Sequence, residues 1–173
     1  SQRPNFNTLP TADNAGFYGR VWEIGEHIGT HMDAPAHFIL DGATADMIDI
    51  SNFVVPITVM DISEKAASNP DATVDVSDIE AYEAEHGELA AGTMVLMNSG
   101  WGARFEDEAA FRNTDADGVM HFPGFSGEAA EFLVSERSIT GVGVDTLSLD
   151  PGNSVTFATH VTVLGAGGYG LEN

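Results

Sequence analysis

The sequence predicts one mixed α/β domain, and three observations carry that prediction. Short apolar runs rich in β-branched residues recur along the chain. Segments with marked helix ends lie between them in the second half. No repeat, linker or low-complexity stretch interrupts the 173 residues, a length that can bury a core without staples.

Taken in order, "FYGRVWEI" alternates weakly and reads as a strand leading into a histidine-rich run. "VVPITVMDI" is β-branched and apolar, a buried strand, with Pro56 marking an edge or an irregularity. "VSDIEAYEAEHG" places Ser77 and Glu80 in capping-box spacing and stops at Gly87, which predicts a helix. "TMVLMNSG" reads as a second buried strand. "FSGEAAEFLVSER" reads as a helix capped by Ser126, with Ala130, Leu133 and Val134 facing inward. "ITGVGVD" is a third buried strand. "HVTVLGAGGYGLEN" closes the chain, apolar first and then glycine-rich.

Composition narrows the function. Cysteine is absent, so disulfides and thiolate zinc sites are excluded and any metal must sit on His, Asp and Glu. Six Lys plus Arg face 27 Asp plus Glu, a formal net charge of -21. Nucleic acid and anionic membrane are poor partners for such a surface, because both are bound through Lys and Arg. Hydrophobic residues make up 43% of the chain and the acids are dispersed, which argues against disorder. The expectation is a halophilic enzyme whose self-repulsion is screened at high salt. No apolar run is long enough to span a bilayer. The opening "SQRPNFNTLP" lacks the basic-then-apolar pattern of a signal peptide, so a cytoplasmic protein is expected.

Half of the six histidines fall within "EHIGTHMDAPAHF". On an extended chain, side chains alternate between two faces. His27, His31, Asp33 and His37 then share one face, and Ile28, Met32, Ala34, Ala36 and Phe38 share the other, as a ligand face and a core face. A straight strand would still hold His27 and His37 roughly 33 Å apart at about 3.3 Å per residue. The segment must therefore bend, at Gly29 and Pro35. Imidazole and carboxylate in such density suit Zn, Mn or Fe divalent ions; the alternative is a structural polar cluster. His160, after "SVTFAT", and Glu172, after the glycine-rich stretch, are further candidates.

His27-x-Gly29-Thr30-His31-x-Asp33-x-Pro35-x-His37-Phe38 resembles the signature of the cyclase family of metal-dependent hydrolases. That family includes bacterial kynurenine formamidases and isatin hydrolases. "NSGW", "FPGFSGEAAEFL", "GVGVDTLSLDPG" and "THVTVLGAGGYGLEN" resemble its later blocks. The resemblance implies a three-layer β/β/α, swivelling-domain-like fold with a mixed sheet, as one domain over residues 1–173. It implies a chain shortened at both ends, because the family's N-terminal segment and the strand region after its Glu-Asn pair have no counterpart here.

The resemblance also implies roles. His27, His31 and Asp33 would hold one divalent ion, and His160 and Glu172 would help hold a second, with Asp33 or Glu172 bridging. Zinc is the expected ion, one or two per chain, with manganese as the alternative. His37 would be the catalytic acid and base in hydrolysis of an amide, aryl formamide or cyclic amide. Phe38, Trp101 and Phe122 are candidates for an aryl pocket, against the alternative of plain core; Phe125 is read as core. His86 and His121 are read as surface residues, and Asp145 and Asp150 as turn or supporting residues rather than ligands. A homodimer or higher homo-oligomer is expected.

Three other readings compete. His31-x-Asp33 with distant His160 also fits the facial triad of a mononuclear iron oxygenase, although no Arg or Lys follows Arg137 to bind a carboxylate cosubstrate. "GAGGYG" matches a dinucleotide-binding fingerprint, but only three residues follow, so the required helix and acid are missing. A catalytically inactive metal-binding homologue is the remaining alternative.

Overall fold

A computed structural model describes residues 5–8 and 20–173. Its centre is a five-stranded sheet in the order β3-β9-β8-β6-β4. In chain order the described elements are β1 (Asn5–Thr8), β2 (Arg20–Glu23), β3 (His31–Asp33), β4 (Ile57–Asp61), α1 (Ser63–Ser68), β5 (Thr73–Val74), α2 (Val76–His86), β6 (Met94–Asn98), α3 (Glu108–Arg112), β7 (Gly124–Phe125), α4 (Gly127–Arg137), β8 (Gly141–Gly143), α5 (Ala158–Gly165) and β9 (Tyr169–Glu172). Strands β4, β6, β8 and β9 run parallel to one another, and β3 pairs antiparallel with β9. The sheet is therefore mixed, as the sequence predicts. β1 with β2, and β5 with β7, form separate two-stranded sheets.

The register sorts the residues into two faces. Met60, Met97, Val95 and Val142 point to the side where α2 and α4 lie, and all are buried in one cluster with Ile79, Ala130 and Leu133. Burying side chains of this size contributes about 1.5–3 kcal/mol each. On the opposite face Val59, Leu96, Gly143, Leu171 and Met32 fall in one row. Val59 there is 50% exposed, and Leu96, Leu171 and Met32 are half-buried.

Several sequence expectations need correction. "VVPITVMDI" is not a fully buried strand: β4 is an edge strand starting just after Pro56, with Ile57 and Val59 exposed and Met60 buried. The capping box of α2 is Asp75 with Asp78, not Ser77 with Glu80. Asp75 N–H donates to Asp78 Oδ2 at 2.7 Å. Lys65, the chain's single lysine, donates to Asp75 Oδ2 at 2.6 Å and to Asp78 Oδ2 at 2.9 Å. That cation makes the earlier acid pair the better cap. Ser126 does cap α4, accepting from Ala129 N at 3.2 Å; Ala129, Ala130 and Leu133 are buried, whereas Val134 is half-buried. The strand in "FYGRVWEI" spans Arg20–Glu23, and residues 17–19 lie outside the described residues.

Candidate metal centre

The antiparallel pairing of β3 with β9 sets His31 opposite Glu172 and Asp33 opposite Gly170. Partners in such a pair share a face, so His31, Asp33 and Glu172 converge. The chain reaches this pairing through a bend at Gly29, whose φ of +61° favours glycine. That turn returns His27 to the end of β3. After Asp33 the chain does not stay extended. Pro35–His37 forms a 3-10 turn, and His37 comes back over Asp33. α5, packed against β9 and against that turn, supplies His160 as its third residue.

Strand alternation therefore holds only for His31 and Asp33. The expected core face is also corrected. Asp33, at 1% exposure, is more buried than the apolar even positions: Ile28, Met32, Ala34 and Phe38 are half-buried and Ala36 is exposed. Burial singles out Asp33, which lies beneath His160 and His37, whereas His27 and His37 themselves are exposed.

The donor atoms crowd around Asp33. His27 Nδ1 lies 2.8 Å from Asp33 Oδ1 and 3.1 Å from His31 Nε2. His31 Nε2 lies 3.4 Å from Asp33 Oδ1 and 3.5 Å from Glu172 Oε2. His160 Nε2 lies 3.4 Å from Asp33 Oδ2 and 3.1 Å from Glu172 Oε1. His37 Nε2 is 3.9 Å from Asp33 Oδ2. Two donor sets gather their atoms within 4.8 Å, His27–Asp33–His37 and His31–Asp33–Glu172. Asp33 belongs to both.

Two observations show that this arrangement suits a cation. Both Asp33 carboxylate oxygens are buried without a hydrogen bond; the short His27 contact is not aligned as one. Leaving such a group unpaired is costly. Second, His31 Nδ1 lies 2.9 Å from the carbonyl oxygen of Gly29. A carbonyl only accepts, so Nδ1 carries a proton, and in the neutral ring the Nε2 lone pair faces His27 Nδ1 and two carboxylates. Lone pairs aimed at one another are repulsive unless a cation lies between them. Bonds of about 2.1 Å to a divalent ion place neighbouring ligand atoms roughly 3.0–3.4 Å apart, close to the separations here.

The electrostatics agree. Burial works against ionising Asp33, but the imidazole of His160 at 3.4 Å and the nearby His37, His27 and His31 outweigh it and hold its carboxyl below the usual range. For His160, burial opposes the charged form, yet Asp150, Asp33 and Glu172 push it up to about 11. His37 is lowered, by burial first and by His27 and His160, against the pull of Asp33.

Around the donors, a cavity of about 420 Å³ is lined by Glu26, His27, Met32, Asp33, His37 and Asp46, among others. Phe38 stacks on His160 at 4.6 Å between ring centroids and meets His37 edge-on at 4.7 Å. Trp101 and Phe122 are not brought to the histidines. Trp101, 2% exposed, packs with Phe111 and Phe122, and its indole N–H donates to the Phe111 carbonyl at 2.7 Å. Phe122, 1% exposed, touches a different cavity, of about 290 Å³. Both are core residues by packing.

Sequence reasoning missed Phe157. It is 42% exposed, has a φ of +51°, and packs at 5.5 Å against Phe38 and at 6.1 Å against His160. A non-glycine residue in that backbone region beside a site is a signal visible only in three dimensions. His121 pairs with Asp71 at 2.9 Å and Asp115 at 3.3 Å, and His86 is exposed at the end of α2. Asp145 accepts from the backbone of Ser99 and Trp101 and holds the "NSGW" turn.

Comparison with known proteins identifies the family. The family profile described as "Putative cyclase" matches residues 2–151. The isatin hydrolase of Roseibium aggregatum is 41% identical over 144 residues, 80% of this chain and 54% of the relative. The kynurenine formamidase of Bacillus cereus is 29% identical over 147 residues, 85% of this chain and 60% of the relative. The solved structure of isatin hydrolase A from Ralstonia solanacearum superposes with a TM-score of 0.86 at 36% identity, covering 99% of this chain and 68% of that one. The profile match ends before His160 and Glu172, whereas the superposition takes in 99% of the chain. The chain spans a little over half the length of the curated relatives it matches. From the signature, the mixed sheet and these matches, the chain belongs to the cyclase family.

Proposed function

We propose that this chain carries out metal-dependent hydrolysis of a non-peptide C–N bond in an uncharged aryl amide, aryl formamide or cyclic amide. The observation that carries the reading is Asp33: a buried carboxylate without a hydrogen bond, ringed by four imidazoles and facing Glu172 across His31 and His160. His27, His31 and Asp33 would hold one divalent ion, and Asp33, His160 and Glu172 a second. Donors of nitrogen and oxygen alone suit zinc, with manganese as the alternative. An ion held there supplies Lewis acidity toward water and toward a carbonyl oxygen.

The chain's own groups do the rest. His37 is half exposed to the cavity, and its lowered pKa keeps it neutral near pH 7. It can therefore take a proton from the attacking water and return it to the leaving nitrogen. Phe38 and Phe157 form an aromatic wall beside His160. Among the described residues Glu26 and Asp46 line the cavity and no Lys or Arg does, so a substrate carboxylate lying away from the ions would find acids and no side-chain cation. This favours a neutral cyclic amide over a substrate carrying a carboxylate.

The net charge of -21 supports a protein adapted to high salt. Homo-oligomerisation is part of the same reading, and among the described residues the row of exposed Val59 and half-buried Leu96, Leu171 and Met32 is apolar surface that an assembly would bury. No described helix is long and apolar enough to cross a membrane; a cytoplasmic location is proposed. Residues 1–173 are proposed to act as one domain.

The test is hydrolysis of isatin and of N-formylkynurenine in molar salt, with metal content measured on the same sample. Turnover should vanish with chelator, return with zinc or manganese, and favour isatin. Metal binding without turnover of either compound would identify an inactive homologue, and iron-dependent oxygen uptake would identify an oxygenase.

A further inference from the structure

One buried carboxylate faces the donors without being among them. Asp150 lies in the loop after β8 and is 2% exposed. Its Oδ2 accepts from His160 Nδ1 at 2.6 Å and from His160 N at 3.2 Å, and its Oδ1 accepts from Thr159 N at 2.9 Å. The preceding residue, Leu149, donates its N–H to Glu172 Oε1 at 3.0 Å. One short loop thus touches both His160 and Glu172. It has little room to move, because a Cβ on Gly124 would sit 2.4 Å from the Asp150 carbonyl carbon.

α5 opens at Phe157, whose side chain does not cap the helix. Asp150 supplies that cap from another segment. The same carboxylate fixes the His160 ring: with Nδ1 donating to Asp150, Nε2 is the nitrogen left for Asp33 and Glu172.

We infer that Asp150 is a positioning residue that sets the His160 ring for ion binding, and that it serves one of two ion positions and not the other. The inference rests on the two-ion reading above. A carboxylate behind a ligand histidine fixes its orientation and raises its basicity, and its loss typically weakens metal affinity 10–100-fold. On the other side of Asp33, His31 is held by the Gly29 carbonyl in an exposed turn. That position meets Asp150 only at second hand, through Asp33 and His160, so it keeps its ion when Asp150 is changed.

The experiment is zinc titration against a competing chelator, with elemental analysis, on the full chain in molar salt. Wild type should bind two zinc ions per chain. Asp150→Asn and Asp150→Ser should retain one and bind the other 10–100-fold more weakly, at the position that His160→Ala abolishes. Serine keeps an oxygen able to cap α5, so the ion-free Asp150→Ser protein should melt near wild type; a mere helix cap would leave its zinc affinity unchanged. Two zinc sites of wild-type affinity in both variants overturn the inference. Fewer than two ions on wild type overturn the two-ion reading itself. If neither variant folds, the wild-type zinc complex decides by ¹⁵N–¹H spectra of its histidines. His160 should show a protonated, slowly exchanging Nδ1 and a zinc-shifted Nε2, and the reverse assignment refutes the role.

Discussion

Binding of a divalent ion at His160 should compete with a proton, and the pH dependence should be steep. In the ion-free protein His160 lies among Asp150, Asp33 and Glu172, which push its pKa up from 6.5 to about 11 against the effect of burial. Two consequences have opposite signs. The raised pKa stabilises the ion-free fold most below pH 6.5, and that contribution is lost as pH climbs towards 11. Ion binding at Nε2 must displace the same proton, so affinity rises with pH. One displaced proton gives about a tenfold gain per pH unit, about 1.4 kcal/mol, or about 100-fold from pH 7 to pH 9. Competition against a chelator of known proton affinity, in molar salt, measures this directly. His160→Ala is the control, since it removes the titrating group. Zinc affinity in wild type that is flat between pH 7 and pH 9, or that parallels the His160→Ala slope, would refute the reasoning.

Three further outcomes are expected. His37→Ala should retain its metal by elemental analysis while turnover falls by about 10²–10⁴-fold; unchanged turnover removes His37 from proton transfer. Phe157→Ala removes one half of an aromatic pair of a kind that contributes about 0.5–1.5 kcal/mol. KM for an aryl amide should rise while that for a small aliphatic amide stays constant, and equal shifts for both would deny it a recognition role. Leu133→Ala empties a buried site in the cluster between α4 and the sheet. It should cost about 3 kcal/mol and lower the melting temperature by about 6–12 °C, measured in molar salt, with a drop under 2 °C showing that α4 packs loosely there.

What could be read from the sequence was what local rules decide. Alternation along a strand placed His31 and Asp33 together, and glycine at 29 marked the bend, because both depend on backbone geometry within a few residues. His37 escaped the alternation argument because Pro35 starts a 3-10 turn. Aromatic residues gave the weakest signal. Trp101 and Phe38 look alike in composition, yet one satisfies its N–H in the core and the other stacks on a histidine at the site. Asp150 and Phe157 could not have been assigned from local pattern, since each acts on groups brought close only when α5 packs against the sheet. The capping pair of α2 went wrong for a related reason: Lys65, ten positions before Asp75, decides which acids sit at that helix end.

The β3–β9 pairing joins residues close to opposite ends of the described chain. An ion shared by Asp33 with His160 or Glu172 would therefore act as a cross-link closing a loop of about 130 to 140 residues, which in chain-entropy terms removes about 5 kcal/mol worth of freedom from the unfolded ensemble. A protein with no cysteine would gain by ligation the topological constraint that others obtain from a disulfide. Unlike a disulfide, this closure would open with chelator or acid rather than with reductant.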